Sequence, residues 1–206
     1  MMAPFVVMGG KGTGSVCVEA LTLIGGPYRV ERRAKRAVNP MRQAPALILP
    51  TGELMTESAA ILIWLADEFP GAGLAPRIGE PARAAYPRWM AFVSAAIYSL
   101  YWIRDKPSRL AADKNHENVV RARTAERIGA CWETMERQVS PGRYLLGASL
   151  SVLDVYVTVI SRWGPRRRTF YHAAPRMGEV VRRVDADPRL APLWAERVPF
   201  LKGWEG

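Results

Sequence analysis

The chain of 206 residues is poor in the residues that bind metals and form cross-links. It has two cysteines, Cys17 and Cys131, and two histidines, His116 and His172. None stands at ligand spacing from another, so no zinc site can be read. Sparse cysteine, with no basic leader and no long apolar segment at the start, fits the cytosol. No apolar run approaches the eighteen or so residues that a membrane span needs. Acidic residues are also scarce: 19 Asp and Glu stand against 29 Lys and Arg, for a net charge of +10. The basic residues are mostly scattered arginines, apart from Arg166-Arg167-Arg168. Neither a zinc finger nor an aromatic-basic strand accompanies them, which excludes the usual nucleic-acid signatures. A solvated basic surface remains, compatible with an anionic ligand.

A Gly-rich loop, GGKGTGS over 9–15, invites a nucleotide reading. It lacks the spacing of a phosphate loop, and Cys17 stands where a dinucleotide fingerprint needs its third glycine. Nucleotide binding is therefore set aside.

What is present is an ordinary globular balance, 49% hydrophobic and 23% charged, enough for a sizeable core. Residues 3–8 read as a strand, and Ser15 caps a helix over 16–24 that Gly25-Gly26 closes. Residues 28–33 form a charged edge strand. Ala46 to Leu49 is a short buried strand, Thr51-Gly52 a turn and Leu54-Met55 the return strand. A helix opens at Glu57-Ser58, with Ile61, Leu62, Leu65 and Phe69 at helical spacing. This βαβ unit followed by ββα is a thioredoxin-like layout.

After residue 80 strand signals nearly vanish. Long helices are expected over 81–105, divided at Pro87, and over 116–139. A helix after Ser151 follows, with Ser151 and Asp154 as a capping box. Shorter helices near 175–186 and 188–196 cover the outside, and the tail after 198 lies on the surface or reaches back to the cleft. The fold class is α/β plus all-α. Residues 1–70 form a thioredoxin-like domain, 71–80 a linker and 81–206 an all-helical domain.

Two features of residues 39–66 are chemical. Glu57 and Ser58 open a helix, where unpaired N–H groups and the dipole favour an anion. A ligand with a carboxylate and an ammonium can use both residues. Ala44-Pro45 precedes a strand; if that bond is cis, the Ala44 backbone can pair with an extended peptide. A plain N-cap and a trans proline at a strand start are the alternatives.

The order Asn39-Pro40, Gln43-x-Pro45-x-Leu47, Gly52, Glu57-Ser58-x-Ala60-Ile61 closely resembles the glutathione S-transferase family. The family's aromatic-Leu pair is Trp64-Leu65 here. The resemblance implies that Glu57 and Ser58 hold the γ-glutamyl end of glutathione. It implies that Ala44, before Pro45, pairs with the cysteinyl backbone and that Gln43 lies near the glycyl end. It implies a homodimer, with glutathione as co-substrate and no metal.

Such an enzyme must lower the thiol pKa from ~8.5, and about two units require about 2.7 kcal/mol of thiolate stabilisation. The first βα turn is the place for a donor. It carries Ser15 and Thr13, with Lys11 nearby, but no tyrosine. Ser15 is the first candidate and Thr13 the second, with a backbone N–H as the alternative. Tyr98, Tyr101 and Trp102 are expected to line the pocket of an apolar electrophile. The rival readings are a thiol reductase or peroxidase using Cys17, a non-catalytic ligand-binding member of the fold, and an anion-binding role for the basic helices.

Overall fold

The chain folds around a four-stranded sheet in the order β2-β1-β3-β4. The computed structural model describes residues 3–9, 15–31, 39, 43–164 and 167–197. β1 (Phe5–Met8) is buried along its length, as four consecutive β-forming apolar residues allow. It pairs in parallel with β2 (Tyr28–Glu31) through a crossover that contains α1 (Ser15–Ile24). β3 (Ala46–Ile48) runs antiparallel to β1, and β4 (Leu54–Thr56) antiparallel to β3. The β3–β4 turn places Gly52 at φ 90°, where a side chain would be strained. The expected thioredoxin-like layout is therefore present, with β2 at an edge. α2 (Ser58–Glu68) follows and buries Ile61, Leu62 and Leu65. Phe69 is its C-terminal cap rather than part of it.

Past residue 80 all regular structure among the described residues is helical, apart from one isolated bridge between Tyr144 and Gly147. The helix expected over 81–105 is divided, but not at Pro87. A single 3-10 turn (Pro81–Arg83) leads into α3 (Ala85–Phe92), then a π-helical turn (Val93–Tyr98), then α4 (Ser99–Asp105). Pro87 falls in the first turn of α3, where its missing N–H would have had no partner anyway. The division comes instead from the π turn. Its wider i→i+5 winding counters the drift that a row of every fourth residue has in a 3.6-residue helix. Val93, Ile97 and Tyr101 thus stay on the buried face, while Ser94, Tyr98 and Trp102 stay together on the other.

α5 (Lys114–Gln138) starts two residues earlier than expected because the Asp113 carboxylate accepts from His116 N–H at 2.8 Å. α6 (Val152–Ser161) is buried on every residue and packs against α1, α2 and α3. Its capping box forms as expected: Asp154 accepts from Ser151 N–H at 2.8 Å and from Leu145 N–H at 2.7 Å. α7 (Arg168–Ala173) was not expected; α8 (Pro175–Asp185) and α9 (Ala191–Arg197) complete the described chain. The tail from 198 lies outside the described residues.

Arg162 and Arg167 correct the reading of the basic residues as surface. Their side chains are 3% and 0% exposed and both pair with Asp185. Of the two described arginines in the run over 166–168, Arg167 is therefore core and Arg168 is exposed.

Candidate functional site

The junction of β4 and α2 is strained. Glu57 has φ 66°, a left-handed conformation that costs a residue other than glycine about 1–3 kcal/mol. Such strain is a common companion of function, and the Glu57 side chain is exposed and makes no capping bond. The next residue, Ser58, begins α2 and is 3% exposed. Its hydroxyl lies 2.9 Å from the hydroxyl of Tyr156, on the buried helix α6. That bond is between two residues 98 positions apart, so no local pattern signalled it.

The second piece is the approach to β3. The Ala44-Pro45 bond is cis. Gly9, at φ 89°, sits against Ala44 so closely that a Cβ there would be 2.6 Å from the Ala44 Cβ. Asn39 donates its side-chain amide to the Gln43 carbonyl at 2.9 Å. From the helical side, the Tyr98 hydroxyl points at the Ala44 carbonyl across a long 3.5 Å.

These pieces share one cleft of about 900 Å³. Gln43, Ala44, Pro45, Glu57 and Ser58 line one side, and Tyr98 and Trp102 line the other. Seven of the residues picked from sequence therefore meet in one place. The cleft also uses Ser94, Ser99 and Arg109, which sequence reasoning passed over. Ser94 and Trp102 stand four residues either side of Tyr98, so the spacing was there to be read. Tyr101 is a correction. It is 3% exposed and packs edge-on against Trp163, with the Arg104 guanidinium over its ring. It lines a separate cavity of about 710 Å³ on the other face of α4. Three residues after Tyr98, it lies on the inward row that the π turn keeps apart from the cleft.

Residues 4–73 match the sequence profile described as the glutathione S-transferase N-terminal domain. The chain is 30% identical over 199 residues to the uncharacterised GST-like protein YncG of Escherichia coli (strain K12), covering 89% of this chain and 94% of that one. The chain belongs to the glutathione S-transferase family. Solved structures agree on the fold. A glutathione transferase homologue from Sulfitobacter, with bound glutathione, superposes with a TM-score of 0.84 at 23% identity, over 95% of this chain and 99% of that one. The beta-class glutathione S-transferase of Sphingomonas chungbukensis gives a TM-score of 0.75 at 22% identity, over 91% and 96%.

In this glutathione S-transferase family member the candidates for thiol activation divide. Lys11 and Thr13 lie outside the described residues. Ser15 opens α1, is fully buried, and interacts with Glu19 one turn further on. It is not among the described residues that line the cleft. Cys17 is fully buried, and burial pushes its thiol far above the usual range. Tyr156 is held neutral: burial pushes its hydroxyl up to about 12 against hydrogen bonds with Ser58 and Ser94. One neutral phenol thus joins the start of α2 to the helical wall of the cleft. Among the described residues no group of three His, Cys, Asp or Glu side chains is placed to hold a metal. No described helix is long and apolar enough to cross a membrane.

Proposed function

We propose that the cleft binds reduced glutathione and that the chain transfers its thiolate sulfur to an apolar electrophile. The observation that carries this reading is the meeting of Glu57, Ser58 and the Ala44-Pro45 backbone on one side of a cleft with Tyr98 and Trp102 on the other. Glu57 takes the α-ammonium of the γ-glutamyl end. The Ser58 hydroxyl and the N-terminus of α2 take its carboxylate. The Ala44 backbone pairs with the cysteinyl unit, as one extended segment pairs with another. Gln43 stands near the glycyl end. Because Ser15 is buried beside Glu19, the donor to the sulfur moves to Thr13 or a backbone N–H of residues 12–15, with Lys11 adding positive charge. Burial of Cys17 with a raised thiol opposes the reductase or peroxidase reading, because the attacking species is the thiolate.

The reading carries with it a homodimer, and a division at residues 71–80 between a glutathione-binding domain and a helical one. Calorimetric titration with reduced glutathione at neutral pH tests it, with thiolate absorbance followed on the same samples. Expected are binding in the parent, a thiolate signal, and loss of binding in the Glu57→Ala/Ser58→Ala double variant. No binding in the parent overturns the reading. Binding without a thiolate leaves a ligand-binding protein and overturns the transfer step.

A further inference from the structure

The chemical class of the second substrate is written in the far end of the cleft. The cleft has a direction. Tyr156 hydrogen-bonds both Ser58 and Ser94, which places Ser94 beside the start of α2. One turn on, Tyr98 faces the Ala44 carbonyl. Further along come Trp102 and Ile103, and then Arg109 and Leu110 from the turn after α4. Ser58 and the Ala44 backbone therefore stand along the Ser94–Tyr98 stretch, and this second group lies further along the same wall.

The far end exposes apolar side chains. Five large hydrophobic side chains are exposed among the described residues, and two of them, Trp102 at 43% and Leu110 at 62%, stand together in this wall. Between them lies a guanidinium. The Arg109 head sits 3.8 Å from the centroid of the Trp102 ring, and one of its nitrogens donates to the Trp102 carbonyl. Those contacts hold the head in place, and among the described residues most of its five N–H donors are unused. Arg83, Arg104, Arg162, Arg167 and Arg176 each have an acidic partner. Arg109 has no acidic partner among the described residues. It is also the one cation among the described residues that line the cleft, as Glu57 is the one acid. A guanidinium pre-oriented on an indole face is weakly hydrated and offers a fork that matches a carboxylate.

We propose that the second substrate is an electrophile with a flat apolar body and a carboxylate. Arg109 takes the carboxylate, and Trp102 and Leu110 cover the body. The inference rests on the glutathione reading above and specifies its other half. A flat body on the Trp102 wall reaches back towards Tyr98, beside the cysteinyl position, so the reacting carbon faces the sulfur. The Arg109 charge acts at the end remote from the bond change and so contributes binding and orientation.

A matched pair of probes tests this: 4-chloro-3,5-dinitrobenzoate and its methyl ester. In each, the thiolate attacks the ring carbon that bears chlorine. The C–S bond forms, the C–Cl bond breaks and chloride leaves with its electron pair; the thiol proton has already gone to solvent. Every kcat/KM is divided by the uncatalysed rate constant with glutathione, because the ester is the more activated ring. The parent is expected to favour the acid by roughly tenfold, the scale of one charge-assisted hydrogen-bonded pair. That ratio should fall to about one in Arg109→Met, recover in part in Arg109→Lys, and shrink with added salt. Three results overturn the inference while leaving the glutathione reading intact. They are no acid preference in the parent, a ratio unchanged in Arg109→Met, and a loss equal on both probes with a raised KM for glutathione, which would assign Arg109 to the tripeptide's own carboxylate. Failure of the parent to bind glutathione by calorimetry overturns the reading itself, and the inference with it.

Discussion

Glu57 holds a backbone conformation that glycine would hold at less cost, and the proposed contact with the glutathione ammonium would account for a carboxylate there. Two consequences separate in Glu57→Gly. Stability should rise by about 1 kcal/mol, read from urea denaturation, as the strain at φ 66° is relieved. Glutathione affinity should fall at least tenfold by calorimetry, because the partner of the ammonium is gone. An unchanged affinity would remove Glu57 from the site. Tyr156 acts on the same end from a distance. Tyr156→Phe keeps the ring in the core and deletes the 2.9 Å bond to Ser58. The loss should be about 1 kcal/mol of stability and a few-fold in glutathione affinity, with the acid-to-ester ratio of the second substrate unmoved. Ser58 and Glu57 were legible as a pair at a helix start. Tyr156 was not, because a tyrosine on an all-round apolar helix reads as packing, and its hydroxyl partner is set by how α6 docks on α2.

At the scale of elements, α1 meets α6 across a buried charge. Glu19 lies mid-helix in α1 with neither carboxylate oxygen hydrogen-bonded by a described residue in good geometry. Burial pushes its carboxyl up to about 7, against its own backbone, Arg197, Ser15 and Arg162, which favour the ionised form. The unfolded chain binds that proton only below about 4.5, so between the two values the native state holds more protons than the unfolded one. Stability from this group is therefore full below pH 4.5, falls as pH rises and levels off above 7, for a loss of about 3 kcal/mol. Asp154, also buried and pushed up to about 6, adds a decline of the same sign below pH 6 in both proteins. Unfolding free energies measured from pH 4.5 to 8 should therefore fall by about 3 kcal/mol more in the parent than in Glu19→Gln. An identical slope in both would mean that Glu19 is ionised throughout.

The segment from α3 to α4 shows the other side of element reading. Its apolar rows were visible in sequence and Pro87 looked like the break. Proline is tolerated in a first turn, so the break went to a π turn that no residue type announces. That turn decides which aromatic residues see the cleft: Tyr98 and Trp102 do, and Tyr101 does not.

Across the whole molecule, the net charge of +10 is not only a surface property. Arg162 and Arg167 converge on Asp185 from α6 and the turn before α7, and Arg167 also donates to the Thr158 carbonyl at 2.7 Å. Removing Asp185 takes a carboxylate away from two buried guanidinium groups at once. Asp185→Ala should therefore cost about 3–5 kcal/mol in a thermal or urea melt, far more than loss of an exposed pair such as Arg123–Glu126. A loss under 1 kcal/mol would show that the cluster is hydrated rather than closed.

The four strands, the helices α1, α2, α5 and α6, the Glu57-Ser58 helix start and the Ser151–Asp154 capping box were determined by the sequence alone. Each depends on residues within a few positions of one another, where spacing and side-chain chemistry act directly. The tertiary structure alone decided that Ser58 leans on Tyr156, that Arg167 is core, that Tyr101 turns inward and that Arg109 stands over Trp102 at the end of the cleft. Those outcomes depend on how distant helices dock and on the phase of a π turn, which a local pattern does not encode.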